Sequence, residues 1–249
     1  MDQVLDLSVA IITLNEERHL PRCLQSLPQG CEVIVLDSGS RDDTVAAARR
    51  LGAQVHMRVF DHYGAQKNAA VALATRGWVL SLDADEEMTP ALRERVMQIV
   101  HDANACNGYR VRRRLVFMGR RMRFGKTVDA PLRLMRRGSG TFSDKIHEKL
   151  DVKGAVDAVR EELLHYSYDD LFDYFERFNR YTSQVAENHR TQGHKMPALA
   201  AHVLRPWVDF FVRYVLRLGF LDGYPGYCYA LLSGVYGFVK YAKLRELSR

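Results

Sequence analysis

Two aspartates, Asp83 and Asp85, directly follow the apolar run at residues 78–82. An uninterrupted apolar run of this length is typical of a buried strand. Side chains of an extended chain alternate between two faces, so we expect both carboxylates on one face and Ala84 on the other. Two converging carboxylates suit a hard divalent cation and the phosphate groups that accompany it. The alternative interpretation is a turn with solvated acids.

The elements around these aspartates alternate between strand and helix character. Three apolar runs, at residues 8–12, 33–36 and 78–82, and a short extended piece at residues 54–59 are separated by stretches with helical periodicity. This alternation predicts an α/β fold with a mostly parallel sheet flanked by helices. Such sheets bind ligands beyond the carboxyl ends of their strands, where Asn15, Asp37 and Asp83 all lie.

The residue types at these strand ends suit a nucleotide with a diphosphate. Asp37 can accept hydrogen bonds from a base edge or a ribose. Lys67 is expected in the first turn of a helix, where its charge adds to the positive helix end and favours a diphosphate. A cation at Asp85 would neutralise that diphosphate. No glycine-rich dinucleotide fingerprint and no GxxxxGK[ST] loop occur in the sequence, which disfavours dehydrogenase and ATPase functions.

Four segments together resemble the motifs of family-2 nucleotide-sugar glycosyltransferases. They occur in the family's order, at residues 11–16 (IITLNE), 35–44 (VLDSGSRDDT), 64–68 (GAQKN) and 82–85 (LDAD). The likeness covers about residues 7–150 and implies the Rossmann-like GT-A fold. It also implies an enzyme that uses a UDP-sugar and a divalent metal, Mg²⁺ or Mn²⁺.

Three later segments give a narrower resemblance. Residues 132–138, 146–148 and 219–223 resemble the β-glucosyltransferases that extend the lipopolysaccharide inner core. This implies an inverting transfer of a hexose, glucose, to a lipid-linked saccharide of the lipid A–core precursor. Two alternatives stay open: transfer to another polysaccharide or a peptide, and a non-catalytic module that binds nucleotide-sugars or lipid headgroups.

The resemblance also assigns site residues. The uridine side is assigned to Thr13, Asn15, Glu16 and Asp37, the ribose and diphosphate to Lys67 and Asp83, and the metal to Asp85. The pair His147-Glu148 stands where many relatives have an acidic catalytic base. We expect Glu148 to be the base, because a carboxylate near an acceptor hydroxyl can take its proton. His147 is the alternative base, or a ligand of the metal or the diphosphate.

Composition indicates a folded protein of the cytoplasm. The chain has 249 residues, 47% of them hydrophobic, and four scattered cysteines that suit a reducing compartment. The acidic N-terminal residues lead directly into a strand, so we expect no signal peptide. No run of 18 uncharged apolar residues occurs, so a membrane-spanning helix is not expected.

The charges are segregated along the chain. Residues 110–137 carry eleven basic side chains against one acid and are expected to form a basic loop, whereas residues 1–109 carry ten basic and fifteen acidic side chains. The acidic half would repel a nucleic acid laid along the ligand edge, so we expect no nucleic-acid partner. A phosphorylated lipid-linked acceptor needs only a local basic wall.

The last third of the chain is helical by pattern. We predict a catalytic domain at residues 1–160 and a helical extension at 161–249. Aromatic residues in the final segment are followed by Lys240, Lys243 and Arg245, a combination typical of the interface with an anionic leaflet. This predicts a protein peripheral on the inner face of the cytoplasmic membrane. The alternative is that these aromatics form the core of a helical unit.

Overall fold

The computed structural model describes residues 4–143, 149–194 and 198–248, without the side chains of residues 200 and 201. By its internal packing the chain divides into two units. The first comprises Met1–Arg114 and Asp129–His165, and the second comprises Leu115–Val128 and Tyr166–Arg249. The domain division at residue 160 remains a prediction from the sequence.

The first unit is built on a mixed sheet. Its strands are β1 (Leu7–Thr13), β2 (Glu32–Asp37), β3 (Gln54–Met57), β4 (Trp78–Asp83), β5 (Glu86–Met88), β6 (Gly108–Phe117, which continues into the second unit), β9 (Leu132–Arg136) and β12 (Val156–His165). They lie in the order β3-β2-β1-β4-β9-β6-β12-β5. Strands β1 to β4 are parallel to one another, and β9 joins β4 antiparallel.

Four helices complete this unit, and four further short strands belong to one or other of the two units. The strands are β7 (Arg120–Arg121, whose residues belong to the second unit), β8 (Val128–Asp129), β10 (Gly140–Phe142) and β11 (Leu150–Val152). The helices are α1 (Leu20–Gln25), α2 (Thr44–Arg50), α3 (Tyr63–Ala72) and α4 (Pro90–His101). Pro90, with its fixed φ, is the first residue of helix α4, and the Thr89 side chain caps the helix by accepting a hydrogen bond from the Leu92 N–H.

Side-chain alternation along the parallel strands produces a core on each face of the sheet. Leu7, Val9 and Ile11 of β1 are fully buried in the cluster that contains Leu20 and Leu92 of α1 and α4. Neighbouring Ala10, Ile34 and Val79 instead belong to the cluster of α3. Because both faces of these strands are covered, their sequences are continuously apolar. The predicted α/β fold with helices on the sheet and a helical C-terminal part is confirmed.

The basic loop expected at residues 110–137 is a wrong prediction, because most of this segment is strand. It contains most of β6 and all of β9, and two of its arginines, Arg114 and Arg133, are buried. Arg114 forms a bidentate ion pair with the equally buried Glu162 of β12, at 2.7 and 2.5 Å. Such pairing allows guanidinium groups to be buried, so a charged sequence was compatible with interior strands.

The second unit is helical. It contains α5 (Leu171–Thr191), α6 (Leu199–Phe211), a π-helical turn (Val212–Leu216), a 3-10 turn (Gly219–Asp222) and α7 (Gly223–Leu247). Its core gathers Phe117, Met122 and Tyr174, with Tyr229 and Leu232 of α7 packed against them. No helix of the described residues is both long and apolar enough to cross a bilayer.

Candidate active site

The two aspartates flank a tight turn at the carboxyl end of β4. Asp83 is the last residue of β4, Ala84 and Asp85 form the turn, and Glu86 begins β5. The Asp83 N–H donates to Glu86 Oε2 at 3.0 Å and closes this turn. The expectation of extended alternation through Asp83 and Asp85 is therefore wrong, because the backbone turns between them. The two carboxylates have different partners.

Asp83 is held by two cations. Its Oδ1 lies 2.8 Å from Lys67 Nζ, and its Oδ2 lies 2.6 Å from Arg133 Nη2. Burial alone would raise the pKa of Asp83, but the charges of Arg133 and Lys67 keep it well below its usual range. The structure thus brings together Lys67 and Asp83, which the sequence assigned to one role, and adds Arg133, which it did not.

A second, fully buried carboxylate, Glu86, pairs with Arg133 and with a further arginine. Glu86 accepts a hydrogen bond from Arg133, and its Oε1 lies 3.3 Å from Arg113 Nη1. Arg113 in turn forms a fork with Asp129, at 3.0 and 2.6 Å. Because each charge faces an opposite one, the buried network tolerates its desolvation and holds Arg133 in one orientation.

Asp85 is paired with a histidine that the sequence analysis missed. His165 ends β12, and the β12–β5 register places it opposite Glu86. Its Nε2 lies 3.2 Å from Asp85 Oδ2. Burial would lower the pKa of His165, but the hydrogen bond and charge of Asp85 raise it above its usual value. No local motif marks His165, since the contact depends on the register that pairs it with Glu86, 79 residues earlier in the chain.

These residues fit a divalent cation. The Asp85 carboxylate and the neutral form of the His165 ring can each supply one ligand, although the described residues contain no group of three or more His, Cys, Asp or Glu side chains that could hold a metal. Mg²⁺ and similar cations commonly take one or two protein ligands and complete their shell with water and substrate phosphates. Lys67 and Arg133, beside the same turn, suit those phosphates.

Asp37 holds the loop that follows β2. Its Oδ1 accepts hydrogen bonds from the Gly39 and Ser40 N–H groups at 2.9 and 2.8 Å, and its Oδ2 accepts one from the Ser40 hydroxyl. Asp37 is fully buried. Oδ1 uses both of its lone pairs in these bonds, whereas Oδ2 has one further lone pair, so the carboxylate can accept one hydrogen bond from a nucleotide while it maintains this turn.

The loops after β1 and β2 are tied to each other. Asn15 donates its N–H to Ser40 Oγ at 2.8 Å and accepts from the Arg41 N–H at 2.9 Å, with its own backbone in the left-handed region at φ 55°. The Glu16 N–H donates to Thr44 Oγ1 at 2.7 Å. These bonds place three predicted uridine-side residues, Asn15, Glu16 and Asp37, on one pair of joined loops.

Thr13, the fourth uridine-side residue, ends β1. It is buried, and its Oγ1 has no hydrogen-bond partner among the described residues. A buried hydroxyl without a partner carries a cost of about 1–3 kcal/mol. Its position opposite Asp37 in the β1–β2 register places it at the same carboxyl edge as the joined loops.

The predicted base residues, His147 and Glu148, lie outside the described residues. The chain on either side is well connected: the Ser143 N–H donates to the Lys149 carbonyl at 2.9 Å. Phe142, just before, exchanges hydrogen bonds of 2.8 and 2.9 Å with the Asn68 side chain, whose neighbour in sequence is Lys67. The described residues that flank His147 and Glu148 are thus bonded to each other, and Phe142 is bonded to Asn68 of α3.

The fold is of the GT-A type found in glycosyltransferases, and comparison with known proteins identifies the family. The family model for glycosyl transferase family 2 matches residues 8–153. The chain therefore belongs to glycosyl transferase family 2. A lipopolysaccharide core biosynthesis glycosyltransferase, LpsC of Rhizobium meliloti, is 32% identical over 97% of this chain and 93% of its own length.

Two further similarities extend over almost the whole chain. An uncharacterized glycosyltransferase of Rickettsia typhi is 29% identical over 97% of this chain and 87% of its own length. Among solved structures, the mannosyltransferase PcManGT of Pyrobaculum calidifontis, in complex with GDP-Man and Mn²⁺, has a TM-score of 0.56. It is 16% identical and covers 99% of this chain and 89% of its own, which supports the fold assignment.

Proposed function

We propose that this chain is a metal-dependent, inverting transferase that moves glucose from UDP-glucose onto a lipid-linked saccharide of the lipopolysaccharide core. One observation carries the proposal: Lys67 and Arg133 meet at Asp83, beside the Asp85–His165 pair, at the carboxyl end of β4. A diphosphate needs cations and, where a metal assists, a carboxylate or imidazole next to them.

In this proposal each part of the edge has one role. Thr13, Asn15, Glu16 and Asp37 bind the uridine, as their loops after β1 and β2 permit. Lys67 binds the diphosphate, and Asp83 orients Lys67 and contacts the ribose. Asp85 and His165 would hold Mg²⁺ or Mn²⁺, which when bound neutralises charge on the departing diphosphate.

The acceptor hydroxyl must lose its proton as the donor bond breaks. We assign this to Glu148, whose carboxylate can act as general base, with His147 as the alternative. The hydrogen bonds between Phe142 and Asn68 support the assignment. They hold Phe142, which lies five residues before His147, against the residue that follows Lys67 in the sequence.

Relatives support the substrate class. LpsC carries a name that refers to lipopolysaccharide core biosynthesis, and the likeness extends over 97% of this chain. PcManGT is described with GDP-Man and Mn²⁺, so the fold accommodates a nucleotide-sugar and a divalent metal in that protein. We further propose that the chain acts in the cytoplasm, peripherally on the inner membrane face, without nucleic acid.

The test is UDP release from UDP-glucose, UDP-galactose and UDP-N-acetylglucosamine, with a purified lipid A–core acceptor, with Mn²⁺ or Mg²⁺ and after chelation. We expect acceptor- and metal-dependent release, fastest with UDP-glucose. Release only with a different acceptor, such as another polysaccharide or a peptide, would show that the proposed acceptor is wrong. UDP binding without any turnover would leave the binding-module alternative. The acid cluster argues against that alternative, because simple binding needs no metal at the diphosphate.

A further inference from the structure

The second unit exposes a set of apolar side chains at the turns between α6 and α7. Leu216, Leu218, Phe220, Leu221 and Tyr224 are each between 44% and 68% exposed. On α6, Trp207 and Phe211 are also more than half exposed. Exposed apolar groups of this size and number mark an interaction surface more often than a plain solvent face.

The hairpin of β6 and β7, with the residues that follow it to Lys126, belongs to the same unit. A buried carboxylate fixes this hairpin to the turns. Asp222, fully buried, accepts hydrogen bonds from the Arg123 and Phe124 N–H groups at 2.9 and 2.8 Å. The Arg120 guanidinium donates to the Leu221 carbonyl at 3.3 Å. The basic side chains of the hairpin therefore stand beside the exposed apolar side chains.

The other end of the hairpin is fixed to the π-helical turn. The Gly125 N–H donates to the Arg217 carbonyl at 3.0 Å, and its carbonyl accepts from Arg213 Nη1 at 3.1 Å. Gly125 adopts φ 72°, a region that favours glycine, and it is followed by exposed Lys126. We name this set of residues the docking surface. It consists of the five apolar residues 216, 218, 220, 221 and 224 and of the basic residues Arg120, Arg123, Lys126 and Arg217.

The charge around the docking surface is predominantly positive. Residues 115–128 contain no acid, and residues 198–231 contain two, Asp209 and Asp222. Asp222 is buried, and Asp209 lies 3.6 Å from Arg205 on α6. A partner for this surface must therefore combine apolar material with negative charge.

One cation near the end of α7, Lys243, is by contrast used within the unit. Lys243 Nζ donates to Asn179 Oδ1, Thr182 and Ser183 of α5, at 2.6, 2.9 and 2.8 Å. Tyr229 of α7 packs edge-on against Phe117, with ring centroids 5.6 Å apart. These groups hold α7 in place, which leaves the docking surface as the better membrane contact of this unit.

We propose that the docking surface inserts shallowly into an anionic lipid leaflet. Phe220, Leu221 and Tyr224 would enter the interface between headgroups and acyl chains, and the surrounding cations would pair with lipid phosphates. A second copy of the chain is a poorer occupant, since a two-fold contact would bring the same cations face to face. The inference rests on the proposed function only for which membrane is meant.

The charge test uses vesicles of phosphatidylcholine, with and without phosphatidylglycerol, in sedimentation. We expect the wild-type chain to bind the anionic vesicles, and R123Q/K126Q/R217Q to bind on the order of a hundredfold more weakly. The matched control removes three exposed arginines of the first unit, R49Q/R95Q/R160Q, and should bind like the wild type. Equal weakening by both triples would indicate only general attraction and overturn the proposal.

The apolar test substitutes L218S/F220S/L221S, with V4S/L51S/M97S as the matched control. Only the first triple should lower binding, and the loss should persist in high salt because apolar burial is not screened. A wild-type chain that ignores anionic vesicles refutes the docking surface, and so does self-association that this triple abolishes. UDP affinity by calorimetry is measured on every variant. Vesicle binding without UDP binding would refute the proposed function and leave this inference intact.

Discussion

At the scale of single residues, the two aspartates after β4 have distinct surroundings and should fail in different ways. Asp85 contacts His165, and its side chain is exposed by only 15%. Replacing it with Asn keeps the shape and removes the charge that would hold a cation. We expect D85N to lower metal-dependent UDP release by on the order of a hundredfold or more, with little change in the free energy of unfolding.

The control for this variant is E94Q, which removes an exposed acid from α4. It should retain the turnover and metal requirement of the wild type. Unchanged turnover in D85N with the same metal requirement would remove Asp85 from the site.

The two cations closest to Asp83 should differ in how much they contribute to the stability of the fold. Arg133 also pairs with the fully buried Glu86, so R133M removes a cation from two acids at once and should destabilise the fold by roughly 3–5 kcal/mol. K67M removes one of three cations near Asp83, which keeps Arg133 at 2.6 Å, Arg113 at 3.8 Å and partial exposure, and should cost clearly less. Urea unfolding of both variants, with calorimetry of UDP binding on K67M, checks this.

The comparison separates the folding stability of the two variants from the affinity of K67M for UDP. K67M should bind UDP more weakly while it remains folded. If K67M binds UDP like the wild type, the diphosphate assignment of Lys67 is wrong. If R133M is as stable as K67M, the buried network contributes less to the free energy of unfolding than its geometry suggests.

At the scale of elements, Asn68 connects α3 to the strand before the predicted base. Both polar atoms of its amide bond to Phe142, five and six residues before His147 and Glu148. We expect N68A to lower kcat for transfer while the affinity for UDP stays within about twofold, because the nucleotide loops do not depend on this contact. Steady-state kinetics and calorimetry separate the two quantities.

A proportional loss of UDP affinity in N68A would show that this amide supports α3 and Lys67 rather than the base segment. E148Q and H147A complete the comparison. If H147A loses turnover with donor affinity retained and E148Q does not, the base is His147.

The packing of α6 on α7 depends on a glycine. A Cβ at Gly234 would lie 2.5 Å from the carbonyl oxygen of Pro206, so the two helices would have to separate. G234A should destabilise the chain by about 1–3 kcal/mol. G237A is the matched control, since its Cβ would meet only the side chain of Asp209 at 3.3 Å. Equal unfolding midpoints for the two variants would contradict the close contact.

At the scale of the whole molecule, the sequence predicted the parallel half of the sheet and missed most of the antiparallel half. Strands β1, β2 and β4 are buried on both faces and therefore appear as plain apolar runs. Strands β6 and β12 bury charged pairs such as Arg114–Glu162, which hide the apolar pattern. A single sequence carries no signal for a pair of residues 48 apart.

The candidate site divides in the same way. Asp37 and Asp83 were predictable, because they end strands of the parallel half. Lys67 was predictable as a helix residue, but its expected place in the first turn is wrong, because α3 begins at Tyr63 and Lys67 lies in the second turn. Arg133 and His165 belong to the antiparallel strands β9 and β12, and only the sheet register brings them to the acids. The turn at Ala84 was also missed, since an acidic tripeptide after a strand does not reveal where the extended backbone ends.

The most direct test of the account is metal-dependent UDP release from UDP-glucose by the wild type, D85N and H165A, with a lipid A–core acceptor. The proposal predicts release by the wild type that chelation abolishes and Mn²⁺ or Mg²⁺ restores, with both variants needing far more metal for any residual turnover. Turnover by the wild type that is indifferent to chelation, or a metal requirement unchanged in both variants, would contradict the assignment of Asp85 and His165.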